Sequence, residues 1–260
     1  MAFSAIERAI MTQVILGLGL LSIGRVWGMA QTRPPQESEA LCLIERAVEL
    51  GVRFFDTAPA YGPSEAVLGK SLAGAGGAIN DLTIATKMGE HWVGDSEGTY
   101  VDHSFEALKE SLDRSLDLLG KIDILQIHKA SVQALQSDSL PKAMEYAKNL
   151  GITKFGASVS DLNAGKMACD SGEFSYLQFP FNERFQGLVD LFALADETNV
   201  LPIVNRPLAM GGLIPSSDAK PVDAIRSAFT FVNQHMNRGV ILTGTRSAEH
   251  LTQTLSLFDS

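Results

Sequence analysis

Four side chains stand out by type and spacing: Asp56, Tyr61, Lys87 and His128. Asp56 closes the apolar pair Phe54-Phe55, and Tyr61 follows in the Gly/Pro loop Pro59-Ala60-Tyr61-Gly62. Lys87 ends Ile84-Ala85-Thr86-Lys87, and His128 ends Ile124-Leu125-Gln126-Ile127-His128. Interconverting a carbonyl and an alcohol needs a hydride carrier and a group that protonates the developing alkoxide. A phenol with a pKa near ~10 is a sluggish acid at neutral pH, so it needs a neighbouring cation. Lys87 supplies that charge, Asp56 holds the ammonium, and a neutral His128 orients the substrate oxygen and helps the proton transfer. Taken singly, each has a plain structural role: a turn cap, loop packing, a solvated strand end, a core imidazole. The combination carries the chemistry.

These groups must come from elements that converge. Short, almost continuously apolar segments at 14–18, 53–56, 82–87, 123–128, 153–158, 176–180, 201–205 and 239–243 read as parallel strands covered on both faces. Helical patterns alternate with them. Phe105, Leu108, Leu112, Leu116 and Leu119 form one apolar stripe, as do Ala40, Ile44, Ala47 and Val48. Gly51 and Gly151 read as helix stops, Pro141 suits a first turn, and a helix starts at Ser64-Glu65. Further helices fit 161–170, 187–197, 222–236 and 247–258. Eight strands and eight helices predict a closed (β/α)8 TIM barrel of parallel strands across residues 1–260 as one domain, with an open doubly wound sheet as the alternative. The four groups then share the rim at the C-terminal strand ends, where barrels do their chemistry.

The run Asp56-Thr57-Ala58-Pro59-Ala60-Tyr61-Gly62, with Glu65, Leu68 and Gly69 beyond it, closely resembles the signature of the aldo-keto reductases. Asp56, Tyr61, Lys87 and His128 resemble that family's catalytic tetrad in type and order. The resemblance implies that Tyr61 is general acid in reduction and base in oxidation, without metal. It also implies cofactor contacts. Ser158, in Gly151-Ile152-Thr153-Lys154-Phe155-Gly156-Ala157-Ser158, and Gln178, before Phe179-Pro180-Phe181-Asn182, look like binders of the nicotinamide carboxamide. Asn205, Arg206, Leu208 and Gly211 resemble the loop along the pyrophosphate. Gly244, Thr245, Arg246 and His250 resemble the segment at the adenosine end. Independently of resemblance, Thr245, Arg246 and Ser247 sit at a helix N-terminus, a natural anion site.

The chain departs from the family's pattern in three places. Val159 follows Ser158 where many relatives carry Asn, Asn205 stands where many stack an aromatic ring, and Gly244 and His250 replace frequent basic residues. Arg246 remains to pair with a 2'-phosphate, so NADP(H) is favoured and NAD(H) is the alternative. Trp27, His91 and Trp92 are expected as loop residues lining the substrate pocket. The short loops suggest an open site for a sugar, a sugar-derived aldehyde or another small carbonyl.

Composition narrows the classes. With 45% hydrophobic residues, 20% charged and a net charge of −9, neither nucleic acid nor an anionic membrane is the expected partner. Cys42 and Cys169 lie far apart in predicted helices, which fits a reducing cytoplasm. The apolar stretch 14–23 with Met29-Ala30-Gln31 loosely imitates a secretory signal. It is too short to span a bilayer and has poor charge order, so 14–18 reads as the first strand and 17, 19 and 24 as glycines that admit a ligand. No His/Cys/Asp/Glu cluster has metal-ligand spacing. Two other readings of the barrel remain: a non-catalytic nicotinamide-nucleotide sensor or interaction subunit, and an aldolase with Lys87 as Schiff-base nucleophile.

Overall fold

Eight short parallel strands close into a barrel, each turning alternate side chains inward and toward the helices. The computed structural model describes residues 5–74, 80–94, 98–214 and 221–258. Its barrel strands are β1 (Val14–Gly19), β2 (Phe54–Asp56), β3 (Thr83–Met88), β6 (Ile124–Ile127), β7 (Phe155–Ser158), β8 (Tyr176–Pro180), β9 (Leu201–Asn205) and β10 (Gly239–Thr243). Each pairs in parallel with its neighbours in the closed order β1-β10-β9-β8-β7-β6-β3-β2. The closed barrel is the expected one, and the open sheet is excluded.

Seven helices cross between successive barrel strands, α3 (Glu37–Glu49), α4 (Ser64–Gly74), α5 (Phe105–Leu119), α7 (Ser139–Asn149), α8 (Leu162–Asp170), α9 (Asp190–Glu197) and α10 (Pro221–Asn233), and an eighth, α11 (Ala248–Phe258), follows the last strand. Their boundaries follow local chemistry. The Ser104 hydroxyl and the Asp161 carboxylate accept N–H groups from the first turns of α5 and α8. Gly51 and Gly151 sit at φ +91° and +88° just past α3 and α7, where a side chain would be strained. α9 begins three residues later than the pattern suggested, because 186–189 form turns. Cys42 on α3 and Cys169 on α8 are free thiols. None of the described helices is long and apolar enough to cross a membrane.

The interior is layered. Ile15, Phe54, Ala85, Ile124, Tyr176, Leu201, Ile203, Val240 and Leu242 pack inside the barrel, while Leu16, Phe55, Ile84, Leu125 and Leu177 face the helices. Helix α1 (Ala5–Thr12), which the sequence reading did not anticipate, closes the N-terminal end by inserting fully buried Ile10 into that inner layer. Burying one such side chain is worth about 1.5–3 kcal/mol. Two further short helices, α2 (Leu21–Gly24) and α6 (Val132–Leu135), and an antiparallel hairpin, β4 (Glu90–Trp92) with β5 (Thr99–Val101), lie at the opposite rim. The hairpin was also unanticipated.

Candidate active site

Two residues beyond the inner apolar layer, the same strand faces turn polar. Asp56 follows Phe54, Lys87 follows Ala85, Gln126 follows Ile124 and Gln178 follows Tyr176, each at a spacing of two. A period of two returns to the same face, so all four point inward at one level. They are 2%, 0%, 0% and 1% exposed, which makes their mutual hydrogen bonding obligatory. Lys87 Nζ donates to Asp56 Oδ1 and Oδ2, both at 2.7 Å, and to the Thr57 carbonyl at 2.9 Å. Asp56 Oδ1 also accepts from Gln126 Nε2 at 3.0 Å and Gln178 Nε2 at 2.9 Å. Gln178 Oε1 in turn accepts from Ser158 Oγ at 3.0 Å.

Above this floor stands Tyr61, carried by a one-turn 3-10 segment (Pro59–Tyr61). The Lys87 ammonium lies 4.8 Å from its ring centroid. The His128 ring meets it edge to face, with centroids 5.7 Å apart. The structure thus brings the four predicted residues together. The Tyr61 loop is placed by a backbone crossing: a Cβ on Gly24 would lie 1.7 Å from the Tyr61 carbonyl oxygen, and one on Gly62 would lie 2.4 Å from that of Gly24. Gly24 therefore serves packing against this loop, and Gly17 packs against Phe54, Val240 and Leu242; of the three glycines expected to admit a ligand, Gly19 alone lines the cavity.

The charges differ in balance from the sequence argument. Burial works against the Lys87 ammonium, but Asp56 and then Tyr61 more than offset it and raise its pKa. Burial also raises the Tyr61 pKa, with Lys87 pulling it down and Asp56 and Glu90 adding to the rise. Lys87 moderates the phenol without making it a strong acid. His128 is held well below its usual pKa by burial, then by Lys87, Lys129, His103 and His91. It is neutral near pH 7, as expected. An ammonium committed to a carboxylate and a carbonyl is a poor nucleophile, so the geometry opposes the Schiff-base reading.

A cavity of about 660 Å³ runs from this centre across the barrel mouth. Asp56, Tyr61 and His128 line one part, with Ser158 and Gln178 beside them. Asn205, Arg206, Leu208 and Gly211 line the next part, and Gly244, Thr245, Arg246 and His250 the far end. Every residue expected at a cofactor thus borders this space. Asn205 Oδ1 is buried without a hydrogen-bond partner among the described residues. The loop after β9 holds Arg206, Ala209 and Met210 at φ +58°, +48° and +60°. Such backbone costs about 1–3 kcal/mol per residue and concentrates at ligand-binding loops. Arg246 Nη2 donates to the carbonyls of Trp27 at 2.8 Å and Thr32 at 2.9 Å, and Met29 N donates to Met210 O at 3.0 Å. Residues 27–32 therefore cross the mouth, tied at both ends.

Trp27 lines the cavity, with the Arg206 guanidinium 5.4 Å from its ring. His91 and Trp92 do not line it. They belong to β4 rather than to a loop, and His91 stacks on Tyr100 and lies 3.2 Å from the Asp102 carbonyl. Three residues escaped the sequence reading. Gln126 was legible as a polar residue in an apolar strand, in step with Asp56 and Lys87. Ser22, whose hydroxyl donates to the Thr245 carbonyl, and Glu90, which lies 3.1 Å from His128, gave no comparable signal.

A parallel eight-stranded barrel with a Tyr–Lys–Asp–His cluster at its C-terminal mouth defines the class. The aldo/keto reductase family pattern matches residues 15–226, and the chain belongs to that family. It is 32% identical over 211 residues to L-galactose dehydrogenase of Arabidopsis thaliana, covering 75% of this chain and 62% of that protein. It is 27% identical over 213 residues to the uncharacterized oxidoreductase YqkF of Bacillus subtilis (strain 168), covering 80% and 64%. The chain thus spans a little under two thirds of the length of these relatives. The holo form of an aldo-keto reductase from Bacillus halodurans superposes with a TM-score of 0.78, covering 94% of this chain and 86% of the other at 22% identity, which supports the fold.

Proposed function

We propose that the protein is an NAD(P)(H)-dependent oxidoreductase that interconverts a small carbonyl compound and its alcohol. The observation that carries this reading is the Lys87 ammonium, fixed by Asp56 at 2.7 Å beneath the Tyr61 ring on the floor of an elongated cavity. Tyr61 protonates the carbonyl oxygen in reduction and takes the alcohol proton in oxidation. Lys87 stabilises the phenolate that forms. Asp56, tied by Gln126 and Gln178, keeps Lys87 charged and in place.

The residues present suit a nicotinamide dinucleotide. The cavity joins the reacting centre to the N-terminus of α11, an anion-attracting feature. Gly19, Gly211 and Gly244 let backbone approach a ligand, and the buried, unpaired Asn205 Oδ1 offers an acceptor. When bound, the nicotinamide supplies or accepts the hydride. Ser158, Gln178 and Asn205 would hold its end of the cofactor. Arg206, Leu208 and Gly211 would flank the pyrophosphate, with Gly244, Thr245, Arg246 and His250 at the adenosine. NADP(H) is favoured through Arg246, whose Nη2 is committed to residues 27–32, leaving Nη1 for a 2'-phosphate. The cavity opens past the exposed Lys129 and Arg206, which fits a hydroxylated or sugar-derived carbonyl better than a sealed apolar pocket would. The relative named L-galactose dehydrogenase points the same way.

Aldehyde reduction by the purified protein tests the reading. Tyr61→Phe should reduce kcat at least about a hundredfold, the worth of positioned acid–base catalysis. Unchanged turnover removes Tyr61 from the mechanism, and absence of turnover with intact cofactor binding favours the sensor reading. Calorimetric titration should show NADPH binding more tightly than NADH, with the difference shrinking in Arg246→Ala. A preference for NADH overturns the NADP(H) assignment.

A further inference from the structure

A second carboxylate stands beside the reacting centre. Glu90 opens β4 just after Gly89, whose φ of +108° turns the chain from β3 into the hairpin. It lines the cavity and is 8% exposed. Its Oε2 lies 3.1 Å from His128 Nε2. Its Oε1 accepts from Thr99 Oγ1 at 2.8 Å and lies 3.9 Å from Lys129 Nζ. Thr99 sits on β5, paired with Trp92 of β4, so the hairpin itself aims the carboxylate. On the other edge of the imidazole, His128 Nδ1 is buried with no hydrogen-bond partner among the described residues.

A neutral imidazole carries one N–H. Placed on Nδ1, that proton would be a buried unpaired donor, and the Nε2 lone pair would face a carboxylate. Placed on Nε2, it is satisfied by Glu90 and borders the cavity. We propose that Glu90 is a positioning residue, which accepts the Nε2–H of His128 and so fixes its tautomer and ring orientation, with a substrate oxygen entering the cavity sharing that one proton as a second acceptor. The groups around the ring are Lys87 from β3, Tyr61 from the loop after β2, His91 from β4, His103 ahead of α5 and Lys129 on its own loop. His103 Nε2 lies 2.8 Å from the His128 carbonyl. Glu90 is the anion in direct contact with the imidazole, and its charge opposes that of Lys87 and Lys129. Its removal therefore shifts the imidazole pKa further down.

The kinetic part of the test rests on the oxidoreductase reading; the spectroscopic part does not. Protein labelled with 15N-histidine is compared as wild type, Glu90→Gln and Glu90→Ala by long-range 1H–15N correlation at neutral pH. The wild type should show His128 as the Nε2–H tautomer. Glu90→Gln keeps an accepting oxygen and should keep that tautomer, while Glu90→Ala should gain the Nδ1–H form. In turnover, Glu90→Ala should lose roughly 10-fold to 100-fold in kcat, the usual scale for removing a partner that orients an imidazole. Glu90→Gln should recover most of it, with the acidic limb of its pH profile moved to lower pH. An Nδ1–H wild type overturns the proposal without recourse to any variant. An unchanged tautomer in Glu90→Ala does so as well. A tautomer shift in protein that turns over no carbonyl upholds Glu90's role and counts against the oxidoreductase reading instead.

Discussion

Asp56 and Lys87 should be energetically coupled, and a double-mutant cycle measures by how much. Asp56 Oδ1 accepts three hydrogen bonds, from Lys87, Gln126 and Gln178, whereas Oδ2 accepts from Lys87. Asp56→Asn retains an oxygen for the two glutamines and turns an NH2 group toward the ammonium, now 2.7 Å away from a donor instead of an acceptor. The pair's side chains are 0% and 4% exposed, so solvent does not screen the loss. Removing one partner of such a pair costs about 3–5 kcal/mol. For a chain of this size each kcal/mol moves Tm by about 2–4 °C, so the single variant should melt on the order of 10 °C lower. Lys87→Met strands the carboxylate and should cost a similar amount. In the double variant no net charge is buried and both glutamines keep their acceptor, while the new amide NH2 and the Thr57 carbonyl lose their partner. Its loss should fall short of the sum of the singles by about 2–3 kcal/mol. Urea unfolding of the four proteins supplies the cycle. Additivity within about 0.5 kcal/mol would show that the carboxylate does not hold the ammonium, and the account of the site's floor would fail.

Gly24→Ala places a methyl 1.7 Å from the Tyr61 carbonyl oxygen, so backbone on both sides must move. We expect about 1–3 kcal/mol of destabilisation from overpacking, together with a loss of aldehyde turnover larger than the loss of folded protein. A variant with wild-type Tm and turnover would show that the crossing does not position Tyr61. For His128, the folded pKa lies below the unfolded value, so the unfolded chain binds the proton first as pH falls. Its contribution is complete above about pH 6.5 and is lost below that value, with a slope of up to about 1.4 kcal/mol per pH unit. Melting curves from about pH 7 to pH 5 should therefore slope less in His128→Gln than in wild type, and equal slopes would refute the assignment.

The fold was legible because short, nearly continuously apolar strands alternate with helical patterns, and the site inherits the pleat of those strands. Phe54-x-Asp56, Ala85-x-Lys87, Ile124-x-Gln126 and Tyr176-x-Gln178 repeat one motif: an apolar residue, then a polar one on the same face a pleat higher. Once these four strands close with the other four into a barrel, the polar layer and its place at the C-terminal mouth follow from geometry. What depended on contacts between rim segments was not legible. The hairpin that carries Glu90 has short strands, Glu90–Trp92 and Thr99–Val101, too brief to show alternation against the neighbouring loop. Without that pairing His91 and Trp92 read as pocket residues, although β4 directs His91 onto Tyr100. The tie from Arg246 to Trp27 and Thr32 joins positions more than two hundred residues apart, and no local pattern records it. The division has a physical basis. Barrel strands are specified by burial on both faces, which leaves a run of apolar residues, while rim segments are specified by single polar contacts that leave no such run. The two rim segments β4–β5 and 27–32 therefore lie where the sequence is least periodic, and each sends a side chain, Glu90 and Trp27, to the cavity wall.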